Sequence, residues 1–226
     1  MRFKDVFSII GPSMVGPSSS HTAGAVRIGL VAHQLFGAIP ERAEILFYGS
    51  FAATYQGHGT DIAIVSGLLG FATDDRRIPD ALAVAEESGM EVIFGHGKGL
   101  FSHPNTVKLV LETTVPEPRK LLLIGTSIGG GNIEIVDVDE FTVKISGNYP
   151  TLIILHEDKP GVIADVTSLL DSEGINIGHM SVDRKGRSGE ALTVLELDSL
   201  LPGSLITALG SIDHVQRITT IDLNSV

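Results

Sequence analysis

Apolar residues recur at two spacings along this chain, one helical and one alternating, and glycines and prolines separate the segments. Phe3, Val6, Phe7, Ile9 and Ile10 form a short apolar opening, read as one or two helical turns and broken at Gly11-Pro12-Ser13. Across 22–36, Val26, Leu30 and Leu35 fall near one helical face, and Gly37 and Pro40 punctuate the end. A strand is predicted over 43–48. Two glycine-broken helices come next, 50–55 and 60–69, with Gly57-His58-Gly59 as the turn between them and Thr60 as an N-cap. The segment 80–88 reads as a helix opened by Pro79 and Asp80 and stopped by Gly89. Strands are predicted over 90–94, 106–112, 120–124, 133–138 and 141–145, with a loop over 126–132.

The rhythm changes at Gly147-Asn148-Tyr149-Pro150, which reads as a linker. Beyond it come a strand at 151–155, a helix at 162–172 and a strand from about 174 to 182. A polar hairpin, a strand at 191–197, a helix at 204–209 and a strand at 215–223 complete the chain. This βαββαβ order predicts a ferredoxin-like unit with its helices on one sheet face. The fold class is therefore α+β: a mixed α/β domain over 1–147, then a βαββαβ domain over 148–226.

Composition narrows the chemistry. At 226 residues the chain can bury one large core or two ordinary ones. A net charge of −11 argues against a nucleic acid or an anionic membrane as partner. The opening residues lack a secretory signal and no apolar run is long enough to span a bilayer, so the expectation is a cytoplasmic protein. The chain contains no cysteine, which removes disulfides, thiolate zinc sites, cysteine nucleophiles and an iron–sulfur cluster held by this chain alone.

The most concentrated chemistry is Gly16-Pro17-Ser18-Ser19-Ser20-His21-Thr22-Ala23-Gly24, a turn running into a helix start. A helix start carries unpaired N–H groups and the positive end of the peptide dipole, so hydroxyls placed there can cap the helix or help to hold a carboxylate. Two readings stand: Ser20 or Thr22 is a plain N-cap, or the cluster is a site. His58 is either a turn histidine facing water or a group brought close by its flanking glycines. Gly129-Gly130-Gly131 joins strand to strand, so it is a hairpin turn or a backbone nest for an anion, and it matches neither a phosphate loop nor a dinucleotide fingerprint. A serine hydrolase lacks its G-x-S-x-G elbow, and His21, His58, His96 and His103 lack metal-ligand spacing. In the second domain, His156-x-Asp158-x-Pro160-Gly161 ends a strand and opens a helix while Asn176 heads the next strand. That suits a free amino acid, or merely helix capping by Asp158.

Several motifs carry a resemblance. The second domain is similar to the ACT domain, an amino-acid-sensing module, and in particular to the serine-sensing end of phosphoglycerate dehydrogenases. His156, Asp158 (where Asn is usual), Gly161 and Asn176 fall on that family's effector-contact positions. The first domain resembles the β chain of bacterial iron–sulfur L-serine dehydratases through G-P-S-S-S-H-T (16–22), G-H-G-T-D (57–61), H-P-N-T (103–106) and S-I-G-G-G (127–131). The resemblance covers essentially the whole chain. In single-chain members of that family, a domain like this one precedes a catalytic domain bearing cluster cysteines; this chain looks like one subunit of the two-chain form.

The resemblance implies an L-serine ammonia-lyase, converting L-serine to pyruvate and ammonia and active only with a cysteine-bearing α subunit. That subunit would hold a [4Fe–4S] cluster, with no cofactor or metal bound by this chain. His21 and His58 are then the expected catalytic groups. Ser18, Ser19, Ser20, Thr22, Asn105, Gly129, Gly130 and Gly131 are the expected substrate contacts. A homodimer through the ACT domain is also expected. The alternative is a purely regulatory serine-binding subunit without catalytic side chains.

Overall fold

The computed structural model describes residues 18–99, 101–186 and 189–223; the apolar opening at Phe3–Ile10 and the turns at Gly11 and Gly16 lie outside them. The chain forms two compact units that divide between Glu140 and Phe141.

The first unit is organised around α1 (Ala23–Phe36), whose residues from Ala23 to Ala32 are all buried. A helix buried on every side, here apolar but for Arg27, belongs in the middle of a structure rather than on its surface. Gly37, with φ 77°, ends it in a left-handed cap, its N–H donating to the His33 carbonyl at 2.8 Å. Then come β1 (Arg42–Tyr48), α2 (Gly49–His58), α3 (Thr60–Leu68), a 3₁₀ turn at Ile78–Asp80, α4 (Ala81–Glu87), β2 (Glu91–His96), β3 (Asn105–Thr113), β4 (Arg119–Gly129) and β5 (Asn132–Val138). The strands lie in the order β2-β1-β3-β4-β5, with only β1–β2 parallel among the registers described. Strict alternation on β1 buries Ala43, Ile45 and Phe47 toward the helices.

Helices α1 and α3 touch backbone to backbone. A Cβ on Gly67 would meet the Val26 carbonyl oxygen at 2.1 Å, and one on Gly29 would meet the Ile64 carbonyl oxygen at 2.4 Å. His33 reinforces the contact: its Nδ1 donates to the Leu68 carbonyl at 2.8 Å, closing one of the open acceptors at the end of α3.

The second unit includes β6 (Phe141–Ile145), ahead of the linker at 147–150. Asp183 accepts the Thr142 N–H at 2.7 Å, and Glu196 accepts both the N–H and the hydroxyl of Ser146 at 2.9 and 2.7 Å. These bonds tie the segment before the linker to strands on its far side. The remaining elements are β7 (Thr151–Glu157), α5 (Val162–Ser172), β8 (Ile177–Arg184), β9 (Glu190–Leu197), α6 (Gly203–Gly210) and β10 (Val215–Ile221). Strand order β10-β7-β9-β8, all antiparallel, is that of the expected βαββαβ unit. Its core is Leu152, Ile154, Leu195 and Leu197 from the sheet against Val166 and Leu170 of α5 and Leu205 and Leu209 of α6. The i, i+4 pairs place both helix stripes on one sheet face, and each such buried side chain contributes about 1.5–3 kcal/mol.

Candidate functional site

Residues Ser18–Thr22 form the turn that feeds α1. The Ser18 carbonyl accepts three bonds, from the N–H groups of His21 and Thr22 at 3.1 Å each and from the Thr22 hydroxyl at 2.9 Å. Thr22 occupies the N-cap position, yet its hydroxyl points back to Ser18 rather than forward into the helix. The capping reading therefore fails for Thr22. It fails for Thr60 too: Gly59 is the N-cap of α3, and Thr60 is fully buried with no hydrogen-bond partner for its hydroxyl among the described residues.

His21 is 6 % exposed and gripped on every side. Its Nδ1 lies 3.1 Å from the Ser18 hydroxyl and its Nε2 3.4 Å from the Ser50 hydroxyl. Its ring meets the Phe51 and His58 rings edge to face, with centroids 5.0 and 4.7 Å apart. Burial, and then the adjacent His58, push its pKa below the ordinary 6.5, against an opposing hydrogen bond with Ser50. A positive charge on His21 is thus disfavoured both by its loss of water and by its neighbour.

His58 is not in a turn. It is the last residue of α2, and Gly59, with φ 68°, turns the chain immediately after it. Its Nδ1 is buried and has no hydrogen-bond partner among the described residues. Burial also raises the pKa of Asp61, in the first turn of α3.

The expected loop over 126–132 is also different. Strand β4 continues through Thr126, Ser127 and Ile128 to Gly129, with register shifts on the β5 side at Ile124/Gly125 and Ser127/Gly129. Gly130 and Gly131, with φ 57° and 73°, then make a two-residue hairpin turn of the kind that demands positive φ at both positions. Asn132 closes it, donating to the Gly129 carbonyl at 3.0 Å. The hairpin reading of the three glycines is the one observed.

These pieces make a closed circuit of contacts. His21 reaches Ser50 on α2. Gly49, with φ 54°, packs flush on Pro104, where a Cβ would come within 2.5 Å of the carbonyl oxygen. Asn105 comes directly after Pro104, and its side-chain amide donates to the Ser127 carbonyl at 3.4 Å. Ser127 lies against Gly24 so tightly that a Cβ there would meet its hydroxyl at 2.1 Å, and Gly24 is in the first turn after His21. Serine-histidine turn, α2, His103–Thr106 turn and β4–β5 hairpin thus ring one spot. In its members the buried polar atoms His58 Nδ1, Ser127 Oγ and Asn132 Oδ1, and two residues beyond His58 the Thr60 Oγ1, have no hydrogen-bond partner among the described residues. Each such group costs about 1–3 kcal/mol if left unpaired, which native folds tolerate mainly where something else arrives to pair them. Chemically, the ring offers hydroxyls and amides for an anion and an imidazole pair for a proton.

Sequence reasoning overlooked Ser50 and Phe51, and it quoted Ser127 only inside a motif. The available signal for Ser50 was a strand ending at Tyr48 followed by Gly-Ser at a helix start.

The four expected effector residues of the second unit present a contrast. His156 is 2 % exposed, and its Nδ1 must carry the proton because its partner at 2.7 Å is the Glu157 carbonyl; its Nε2 accepts from the Thr193 hydroxyl at 2.8 Å. Asp158 pairs with Arg184 at 3.1 Å, and Asn176 donates to Asp198 at 2.6 Å. Gly161, with φ 100°, is the N-cap of α5, and no side chain caps that helix, Asp158 included. No hydrogen bond joins Asn176 to His156 or Asp158 among the described residues.

No group of three or more His, Cys, Asp or Glu residues able to hold a metal ion occurs among the described residues. No described helix is long and apolar enough to cross a membrane.

Comparison with known proteins matches two parts of the chain to two families. The family described as Serine dehydratase beta chain matches residues 3–89, and the ACT domain family matches 150–214. A probable L-serine dehydratase, beta chain, from Bacillus subtilis is 46 % identical over 98 % of this chain and 99 % of its own length. An L-serine dehydratase, beta chain, from Peptoniphilus asaccharolyticus is 38 % identical over 95 % of each chain. A D-3-phosphoglycerate dehydrogenase from Synechocystis is 30 % identical over 88 % of this chain, which corresponds to 36 % of that enzyme. With near-complete mutual coverage by two such relatives, this chain belongs to the family of L-serine dehydratase beta chains and carries an ACT domain in its second unit.

Proposed function

We propose that this chain is the β subunit of an enzyme that removes ammonia from L-serine to leave pyruvate, and that its first unit supplies one wall of the active site. The observation that carries this reading is the circuit of contacts around His21 and His58, with its unpaired buried polar atoms, in a member of this family. The residues present do not fit a cluster of the chain's own, because the sequence contains no cysteine. In the proposal a [4Fe–4S] cluster belongs to a cysteine-bearing α subunit.

What this chain contributes is binding and proton handling. Hydroxyls of Ser18, Ser19 and Ser20, at the positive end of α1, receive the serine carboxylate, while Thr22, whose hydroxyl proton goes to the Ser18 carbonyl, holds their turn in shape. Asn105 and the Gly129–Gly131 turn border the same spot. His58 is the group that exchanges a proton with substrate, work that suits an imidazole near neutral pH. His21, pinned by two hydroxyls and two rings, holds His58 in place. The ACT unit pairs with a second copy along the edge strand β8, where Met180 and Val182 stand exposed.

Anaerobic reconstitution with the α subunit tests the proposal. Pyruvate formation from L-serine should require both chains and collapse in His21→Ala and His58→Ala complexes that still assemble. Full turnover in both variants, with only the serine response altered, would instead favour a purely regulatory subunit.

A further inference from the structure

The His103–Thr106 turn has no place in the proton-handling scheme, yet its geometry is directed at α2. That helix lacks a side-chain N-cap: Tyr48 occupies the position and forms no capping bond. Two of its first free N–H groups, on Ser50 and Phe51, are answered by one acceptor, the Pro104 carbonyl, at 2.8 and 3.4 Å. Proline cannot hold that carbonyl in place through an N–H of its own. His103 does so from one residue earlier. Its Nδ1 accepts the Asn105 N–H at 3.2 Å, and its carbonyl accepts the Thr106 hydroxyl at 2.7 Å. The bond from an imidazole nitrogen to the N–H two residues on is the one an Asn or Asp side chain makes in an Asx turn. It requires the tautomer with Nδ1 bare and Nε2 protonated.

We infer that His103 is a positioning residue: it shapes the turn whose Pro104 carbonyl caps α2, and so fixes the helix that presents Ser50, Phe51 and His58 to His21. A shift of α2 by a fraction of an ångström loosens the Ser50 and Phe51 contacts on His21 and displaces His58 relative to it. No hydrogen bond or ring contact joins His103 to His21 or His58 among the described residues. The inference rests on the reading of those two residues as proton-handling groups only for its effect on turnover; its effect on their geometry stands apart from it.

The test compares His103→Ala with His103→Asn. In the reconstituted complex, His103→Ala should lower kcat roughly 10- to 100-fold, the scale of a small misplacement of a catalytic group, with a lesser change in KM. His103→Asn restores the acceptor and should recover most of the loss. On the β chain alone, histidine-labelled NMR should show the His21 imidazole titrating nearer its ordinary value in His103→Ala than in the parent, and returning in His103→Asn. Parent-like titration and kcat in His103→Ala would overturn the inference, as would equal damage from Ala and Asn in folded chains. A changed His21 titration alongside full turnover in His21→Ala would uphold the positioning role and reject the catalytic reading instead.

Discussion

Each of the two units contains histidines, hydroxyls and amides in turns beside helix starts, and they use them in opposite ways. In the second unit His156 spends both ring nitrogens on Glu157 and Thr193, Asp158 is taken by Arg184, and Asn176 by Asp198. In the first unit His58 Nδ1, Thr60 Oγ1 and Ser127 Oγ are buried without partners among the described residues. A satisfied polar network holds a fold in one state; unsatisfied buried groups weaken it by about 1–3 kcal/mol each. Residue type and local motif are alike in the two units, so they cannot distinguish a structural network from a site. The hydrogen bonds can.

The contrast can be broken most directly by removing the imidazoles. His58→Ala and His21→Ala should each lower serine turnover of the assembled complex about 100-fold or more, the usual contribution of a positioned acid–base group. Thermal unfolding should shift little in His58→Ala but fall in His21→Ala, which empties a buried, fully contacted position, and anaerobic pyruvate assays beside melting curves would separate the two effects. Next in size is Gly67→Ala, whose Cβ would collide with the Val26 carbonyl at 2.1 Å. It should cost about 1–3 kcal/mol of stability by overpacking, read as a lower denaturation midpoint confined to the first unit. Thr193→Val, which leaves His156 Nε2 bare, should destabilise the second unit by about 1–2 kcal/mol while serine turnover persists.

Smaller effects come from protons and surface charge. The folded pKa of His21 lies below the ordinary 6.5, chiefly through burial. As pH falls through that value the unfolded chain takes up a proton that the folded chain still refuses. The unfolded state then binds more protons, so stability declines until His21 protonates in the fold as well. Acid titration of the melting temperature should show this slope below pH 6.5 in the parent and a shallower one in His21→Ala. Least of all, Asp158→Asn should move stability by no more than about 0.5 kcal/mol, because its partner Arg184 is largely exposed and water screens the pair. A large loss there would mean that Asp158 does more than pair at the surface.

Much of the architecture was legible in the chain. The βαββαβ order was readable because its strands alternate and its helices carry i, i+4 apolar pairs such as Val166/Leu170 and Leu205/Leu209, local signals that survive without tertiary context. Helix α1 could be placed between a hydroxyl-rich turn and Gly37 for the same reason. Capping was less legible: Thr22 and Thr60 have the right chemistry in the right places, yet one bonds backward and the other is buried without a partner among the described residues. The extent of β4 was misjudged because Thr126 and Ser127 look like loop residues until β5 pairs with them.

The amino-acid sequence by itself settled which segments are helix or strand and which residues could do chemistry, because propensity, periodicity and turn preference act over a few neighbours. It could not say that His21, Ser50, Asn105, Ser127 and Gly24 would close on one another, since those contacts join segments tens of residues apart. Only the tertiary packing decided that, through close approaches at Gly24 and Gly49 that let three turns and helix α2 crowd one point. The same packing gave His156 its two partners and left His58 Nδ1 with none among the described residues.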